Sequence, residues 1–149
     1  MSFKYISSNL DETILAATDP NNYIFTSTDS GKTWFQHPGS GKRNWSSISI
    51  SQDGNFLIAS EHNGYIYTSQ NGGITWQENE NLGKKEWSFV STNSNATKIA
   101  AAVNNGYIYV STDLGETWKE QTDLKTGTWK SLFVSDKTFK GDYIIFFSR

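Results

Sequence analysis

Ser27-Thr28-Asp29-Ser30-Gly31-Lys32-Thr33-Trp34 returns as Ser69-Gln70-Asn71-Gly72-Gly73-Ile74-Thr75-Trp76, and again as Ser111-Thr112-Asp113-Leu114-Gly115-Glu116-Thr117-Trp118. The step is 42 residues both times, and it uses three of the six tryptophans. The other three, Trp45, Trp87 and Trp129, keep the same step, as do Tyr23, Tyr65 and Tyr107. A fixed period in this range marks a repeat architecture, in which each unit buries its apolar face against the next.

Working outward from the octapeptide, one period reads as four short strands. Trp45 to Ile50 alternates apolar and polar residues, as a half-buried strand does. Asp53-Gly54-Asn55 is a turn signal, and Phe56 to Ser60 is an apolar run suited to a strand covered on both faces. Asn63-Gly64 signals a two-residue hairpin before Tyr65 to Ser69. After the octapeptide turn, a fourth strand opens at Trp76 and runs to Asn79. No stretch has sustained helical periodicity. The repeats span about 3–44, 45–86 and 87–128, with a half repeat at 129–149, whose strands are Trp129 to Val134 and Tyr143 to Phe147. We expect one all-β repeat domain, 1–149, of about fourteen strands.

The composition agrees with strands and turns. Aromatics make up 15% of the 149 residues and charged residues only 19%. Thirteen bases against fifteen acids give a net charge of −2, which speaks against nucleic acid as a partner. There is no cysteine, so disulfides and thiolate chemistry are excluded, and two histidines, His37 and His62, do not make a histidine-rich metal site. The longest apolar run, Ile99 to Val103, is too short to cross a membrane as a helix. Met1 to Leu10 lacks the apolar core of a secretion signal. The expectation is a soluble, cytoplasmic chain.

The octapeptide, Ser-x-Asp-x-Gly-x-Thr-Trp, resembles the Asp-box of the bacterial neuraminidase repeat family, which includes sialidases, sortilin-type receptors and photosystem II assembly factors. The resemblance implies a β-propeller with one four-stranded blade per repeat. It assigns a structural role to Ser27, Asp29, Gly31, Trp34, Ser69, Asn71, Gly73, Trp76, Ser111, Asp113, Gly115 and Trp118. In physical terms, the Asp accepts hydrogen bonds from nearby N–H groups, the Gly supplies an otherwise closed backbone conformation, and the Trp covers the turn. Asn71 can accept the same bonds through its amide oxygen. The Asp position of each turn offers at most one carboxylate, whereas calcium usually wants several. The resemblance also implies what an active relative would need, a clamp of three arginines. The chain has two, Arg43 and the terminal Arg149. No catalytic residues, metal or cofactor are assigned, and the expectation is a non-enzyme.

In a propeller, the loops joining strands four-to-one and two-to-three share a face. There Lys42-Arg43 and Lys84-Lys85 precede Trp45 and Trp87, with Trp129 as the third indole and His62 in a neighbouring turn. Indole planes beside cations suit sugars or anionic groups. The competing reading packs the three indoles between blades, leaves the lysines solvated, and makes His37 a loop residue and His62 a turn residue. The function expected is a non-catalytic binding scaffold for a protein, with a multivalent carbohydrate-binding lectin as alternative and a glycosidase fragment behind both. Three blades and a half do not close a ring, since propellers usually have four to eight. We therefore expect a homo-oligomer, with a dimer favoured, to complete it. A β-trefoil, closing as a monomer from three repeats, is the rival fold.

Overall fold

The computed structural model describes residues 2–139 and 142–148, with side chains described up to 137 and at 147. Blade 1 contains β1 (Tyr5–Ser8) and β2 (Leu15–Thr18). A short β3 (Pro20–Asn22) leaves the blade before β4 (Ile24–Ser27) and β5 (Phe35–His37). Blade 2 is β6 (Arg43–Ile50), β7 (Leu57–Gly64), β8 (Ile66–Ser69) and β9 (Gln77–Glu78). Blade 3 is β10 (Lys85–Thr92), β11 (Ile99–Val103), β12 (Ile108–Ser111) and β13 (Lys119–Glu120). A two-stranded half blade follows, β14 (Ser131–Phe139) with β15 (Asp142–Ser148). Each blade is an antiparallel meander, paired in chain order apart from β3.

The only helical pieces among the described residues are three-residue 3₁₀ turns at Pro38–Ser40, Glu80–Leu82 and Thr122–Leu124. No helix there is long and apolar enough to cross a membrane. The protein is an all-β partial propeller. It is not a trefoil: each repeat closes its own four-stranded sheet, whereas trefoil repeats share one barrel.

The blades bury themselves against each other. Ala16 and Ile24 of blade 1 pack on Trp45, Ile48, Leu57 and Ala59 of blade 2. Ile58 and Ile66, on the opposite face of blade 2, pack on Trp87, Val90, Ile99 and Ala101 of blade 3. Ala100, Ala102 and Ile108 then meet Trp129 and Val134 of the half blade. Alanines in the second strands let adjacent sheets approach closely, and alternation sends successive side chains to opposite seams.

Beyond a short pairing at their N-terminal ends, β6 and β10 leave one edge of their backbone open toward the preceding blade, as β14 does. Serines of the preceding blade satisfy N–H groups along these edges. Ser7 accepts from the Ile50 N–H at 3.2 Å, Ser47 from Val90 at 3.2 Å, Ser49 from Thr92 at 3.1 Å and Ser91 from Val134 at 3.0 Å. These first strands wall a concave space of about 320 Å³.

The repeated turn has the geometry its chemistry predicts. Asp29 accepts from the Thr33 N–H at 2.8 Å and hydroxyl at 2.6 Å, and from Ser27 at 2.8 Å. Asp113 does the same with Thr117 and Ser111. Asn71 accepts from Thr75 N–H at 2.9 Å and donates its amide to the Thr75 hydroxyl at 2.8 Å. Trp34, Trp76 and Trp118 each donate their indole N–H back to the glycine carbonyl at 2.9–3.1 Å.

The threonine bonds hold the Asp29 and Asp113 carboxyls down at about 2, against an ordinary 3.8. A carboxyl depressed by folding stabilises the fold fully above its unfolded value and loses that contribution as pH falls through the folded one. Asn71→Asp is therefore expected to melt close to the parent at neutral pH. It should fall progressively below the parent as pH drops from the ordinary 3.8 to about 2, because it carries a third such group. Thermal melts from pH 5 downward check both statements.

His37 is not a loop residue. It ends β5, is buried, and lies 2.7 Å from the Thr26 hydroxyl through Nε2. Its ring rests against Gly73 of the next blade, where a Cβ would stand only 3.1–3.2 Å away. Asn79, the same position one repeat later, approaches Gly115 in the same way. The residue closing one blade is seated on the turn glycine of the next, a contact that a loop residue beside Pro38 does not announce.

Candidate functional site

The loops between second and third strands are not free. β3 pairs with the first strand of blade 2, Pro20 opposite Asn44 and Asn22 opposite Arg43. The end of β7 pairs with β10, Gly64 opposite Lys85 and His62 opposite Glu86. Gly106 bridges to Gly127. Each such loop thus grips the following blade and joins the loop face into one surface. Asn63 takes the left-handed conformation, φ +59, as an Asn-Gly turn favours, but Gly64 does not share it. The two-residue hairpin expected there is replaced by a longer turn, closed by Glu61 N–H to the Tyr65 carbonyl at 3.0 Å.

The indoles predicted to carry a ligand lie beneath this surface. Trp45, Trp87 and Trp129 are 1, 0 and 3% exposed. Trp45 donates to the Asn22 carbonyl and Trp129 to that of Gly106, both at 2.9 Å, tying each to the loop that covers it. Trp87 Nε1 is buried without a hydrogen-bond partner. Rings with no exposed face cannot stack on a sugar, so the assignment of Trp45, Trp87 and Trp129 as ligand residues is corrected. They fill the seams because a large aromatic gains most from full burial.

The cations do reach the surface, and they are organised. Lys42 lies over the Tyr23 ring and Lys84 over Tyr65, each at 5.4 Å. Arg43 lies over Tyr67 at 4.3 Å and Lys85 over Tyr109 at 5.8 Å. These are two repeated cation–ring rungs, each contact worth about 0.5–1 kcal/mol at exposed sites. Arg43 also donates to the Ser40 carbonyl at 3.0 Å and stands 3.9 Å from Glu61. The lysine pairs are therefore not loose solvated charges. Burial, then the Glu78 carboxylate to which its hydroxyl donates at 2.9 Å, push Tyr67 above the usual phenol range. Burial and Glu120 push Tyr109 up to about 12. Both hydroxyls stay protonated as fixed donors.

Beside the rungs a depression of about 240 Å³ opens between Tyr5, Ser46, His62, Glu86, Ser88 and Asn104, with Trp87 and Phe89 completing the lining. Asn104 donates its side-chain amide to Glu86 Oε1 and its N–H to the Glu86 carbonyl, both at 2.9 Å. The depression offers an imidazole, a carboxylate, hydroxyls and an apolar wall. Of the predicted surface residues, Lys42, Arg43, Lys84, Lys85 and His62 do line the loop face, while Arg149 lies outside the described residues. Tyr5, Glu86 and the ring partners of the cations were missed. The constant separation between Lys42 and Tyr23, and between Lys84 and Tyr65, was the available signal. Among the described residues no group of three or more His, Asp or Glu side chains is placed to hold a metal ion.

No protein-family model and no curated protein sequence matches the chain. Solved structures do. Similarity extends to YCF48 bound to a D1 peptide, with TM-score 0.68 and 17% identity over 88% of this chain and 44% of that one. It extends to a chain of a nidogen/laminin complex, TM-score 0.72 and 12% identity over 87% and 51%. A GH74 enzyme from Niastella koreensis matches at TM-score 0.64 and 21% identity, over 80% of this chain and 18% of its own. These neighbours are β-propellers, and at such identities the likeness shows the fold. The chain spans about a fifth to a half of their lengths.

Proposed function

We propose that this chain is a non-catalytic binding module whose loop face takes a peptide or protein segment carrying both charge signs. The observation that carries the reading is the pairing of each two-to-three loop with the following blade. It fixes the cation–ring rungs and the His62–Glu86–Asn104 depression on one rigid surface, and preorganisation lowers the ordering cost of binding. YCF48 with its D1 peptide and the nidogen/laminin complex are propellers with peptide or protein partners, which supports the same coarse role here. Tyrosines kept protonated by burial and neighbouring carboxylates also suit a fixed donor better than a nucleophile, which needs activation. The lectin reading has lost its aromatic platform.

The test is panning of short random peptides on the intact chain, followed by anisotropy with the selected sequences. Affinity should fall roughly tenfold in a combined His62→Ala, Lys84→Ala, Glu86→Gln variant that still unfolds cooperatively a few degrees below the parent, and weaken with salt. A selection in which no binder responds to any of the three changes would remove the loop face from the reading. Turnover of fluorogenic glycosides would remove its non-catalytic part, and glycan-array binding would favour the lectin.

The same reading includes completion of the ring by a second copy. Ile6 is 60% exposed, whereas Ile48 and Val90, its counterparts in blades 2 and 3, are buried at 6 and 5%. Light scattering is expected to give twice the 16.8 kDa of one chain. A stable monomer would overturn this part alone.

A further inference from the structure

The repeats supply an internal control for the outer rim, and one seam departs from it. Phe35 and Ile74 are 70 and 69% exposed, and Pro38 is exposed beside them. One and two repeats on, Phe35 becomes Gln77 and Lys119, and Pro38 becomes Glu80 and Thr122. At the Ile74 position the other turns carry Lys32 and Glu116. Every other copy is polar at these positions. The three apolar residues also converge. The His37 ring is 5.7 Å from that of Phe35 and rests against Gly73, the residue before Ile74. The Ile74 carbonyl is 2.9 Å from where a Cβ on Gly39, next to Pro38, would stand.

β5 is the outermost strand of blade 1, and among the described residues it pairs only with β4. Its free edge exposes unpaired N–H and C=O groups, which proteins usually guard with charge or by keeping the strand very short. β9 and β13 follow that rule, with two residues each and Glu78, Lys119 and Glu120 in them. β5 has three residues, Phe35-Gln36-His37, and no acidic or lysine guard.

We propose that the rim between blades 1 and 2 is a docking edge for an extended, apolar segment of a partner protein, added as a strand beside β5 with its side chains on Phe35, Pro38 and Ile74. Backbone hydrogen bonds to the edge give such a mode its affinity, and alternate side chains give it selectivity. A second copy of this chain is the poorer occupant. Self-pairing over three residues buries far less than the roughly 1,200 Å² that a stable protein interface needs, whereas a flexible segment can extend past β5 onto Ile74. The rim is separate from the loop face, so this inference does not rest on the function proposed above.

The experiment uses short random peptides panned on the intact chain, then anisotropy with the selected peptides. Phe35→Lys and Ile74→Glu install residues that the third repeat already carries at these exposed positions, so both variants should melt like the parent. The expected result is a set of peptides with alternating apolar residues, bound roughly tenfold more weakly by either variant. Lys84→Ala on the loop face should leave them unaffected, and N-methylation of alternate peptide amides should abolish binding. Affinity equal in parent, Phe35→Lys and Ile74→Glu would overturn the proposal, as would failure to select any such peptide. A dimer that dissociates in Phe35→Lys would overturn it too, by making a second copy the occupant.

Discussion

Trp87→Ala is expected to cost roughly 3–5 kcal/mol. The indole is fully buried between blades 2 and 3, edge-on to Tyr109 at 5.6 Å and packed among Val90, Ile99 and Ala101. Removing it leaves a cavity between two sheets whose separation is fixed by loops paired across the seam, so the site has little freedom to collapse. Trp45→Ala belongs to the same class and additionally gives up a bond to the Asn22 carbonyl. Trp76→Ala should cost clearly less, because that indole is only half-buried at the blade margin and covers a turn that keeps its own hydrogen bonds. Urea melts of the three variants decide the ordering. If Trp76→Ala matched Trp87→Ala, the margin of the blade and not the seam would carry the stability.

That ordering reverses the weight a reading of the sequence places on the two tryptophan series, and the reason is physical. The octapeptide announces Trp34, Trp76 and Trp118 because its turn chemistry is local: Asp29 finds Thr33 four residues away, and such bonds are written into the spacing. The blade, its strand order and the half blade at the end follow from the same period and alternation. The environment of Trp45 and Trp87 is set instead by contacts about twenty residues back in the chain, such as Trp45 on the Asn22 carbonyl. Nothing in the residues around Trp45 distinguishes an indole under a loop from one beside it. The candidate site was legible to the same extent. Lys42, Arg43, Lys84, Lys85 and His62 were assigned to the loop face by topology alone. Their ring partners Tyr67 and Tyr109 lie in third strands and Tyr23 and Tyr65 just before them, about twenty residues from the cations in the chain, and only the folded blades bring them together. His37 shows the limit most sharply. Beside Pro38 it reads as loop, and only the stacking of one blade on the next reveals what the ring is for.

Gly73→Ala is expected to destabilise by about 2–4 kcal/mol, and by more than the same change at Gly31. Both glycines adopt the left-handed backbone, φ +91 and +84, so an alanine pays a conformational penalty of about 1–2 kcal/mol in either turn. The surroundings differ. At Gly31 a Cβ would meet the Leu15 side chain at 3.2 Å and the Trp34 ring at 3.7 Å, both belonging to the same blade and both free to yield. At Gly73 it would meet three atoms of the His37 ring at 3.1–3.2 Å. That ring is held by Thr26 at 2.7 Å and buried by the preceding blade, so relief requires the two blades to part. The excess of Gly73→Ala over Gly31→Ala therefore measures the stiffness of one blade-to-blade joint. Adding His37→Ala removes the obstructing ring, and the double variant should lose less than the sum of the two single changes. Strict additivity in chemical denaturation would show that the glycine serves its own turn and that the joint is held elsewhere.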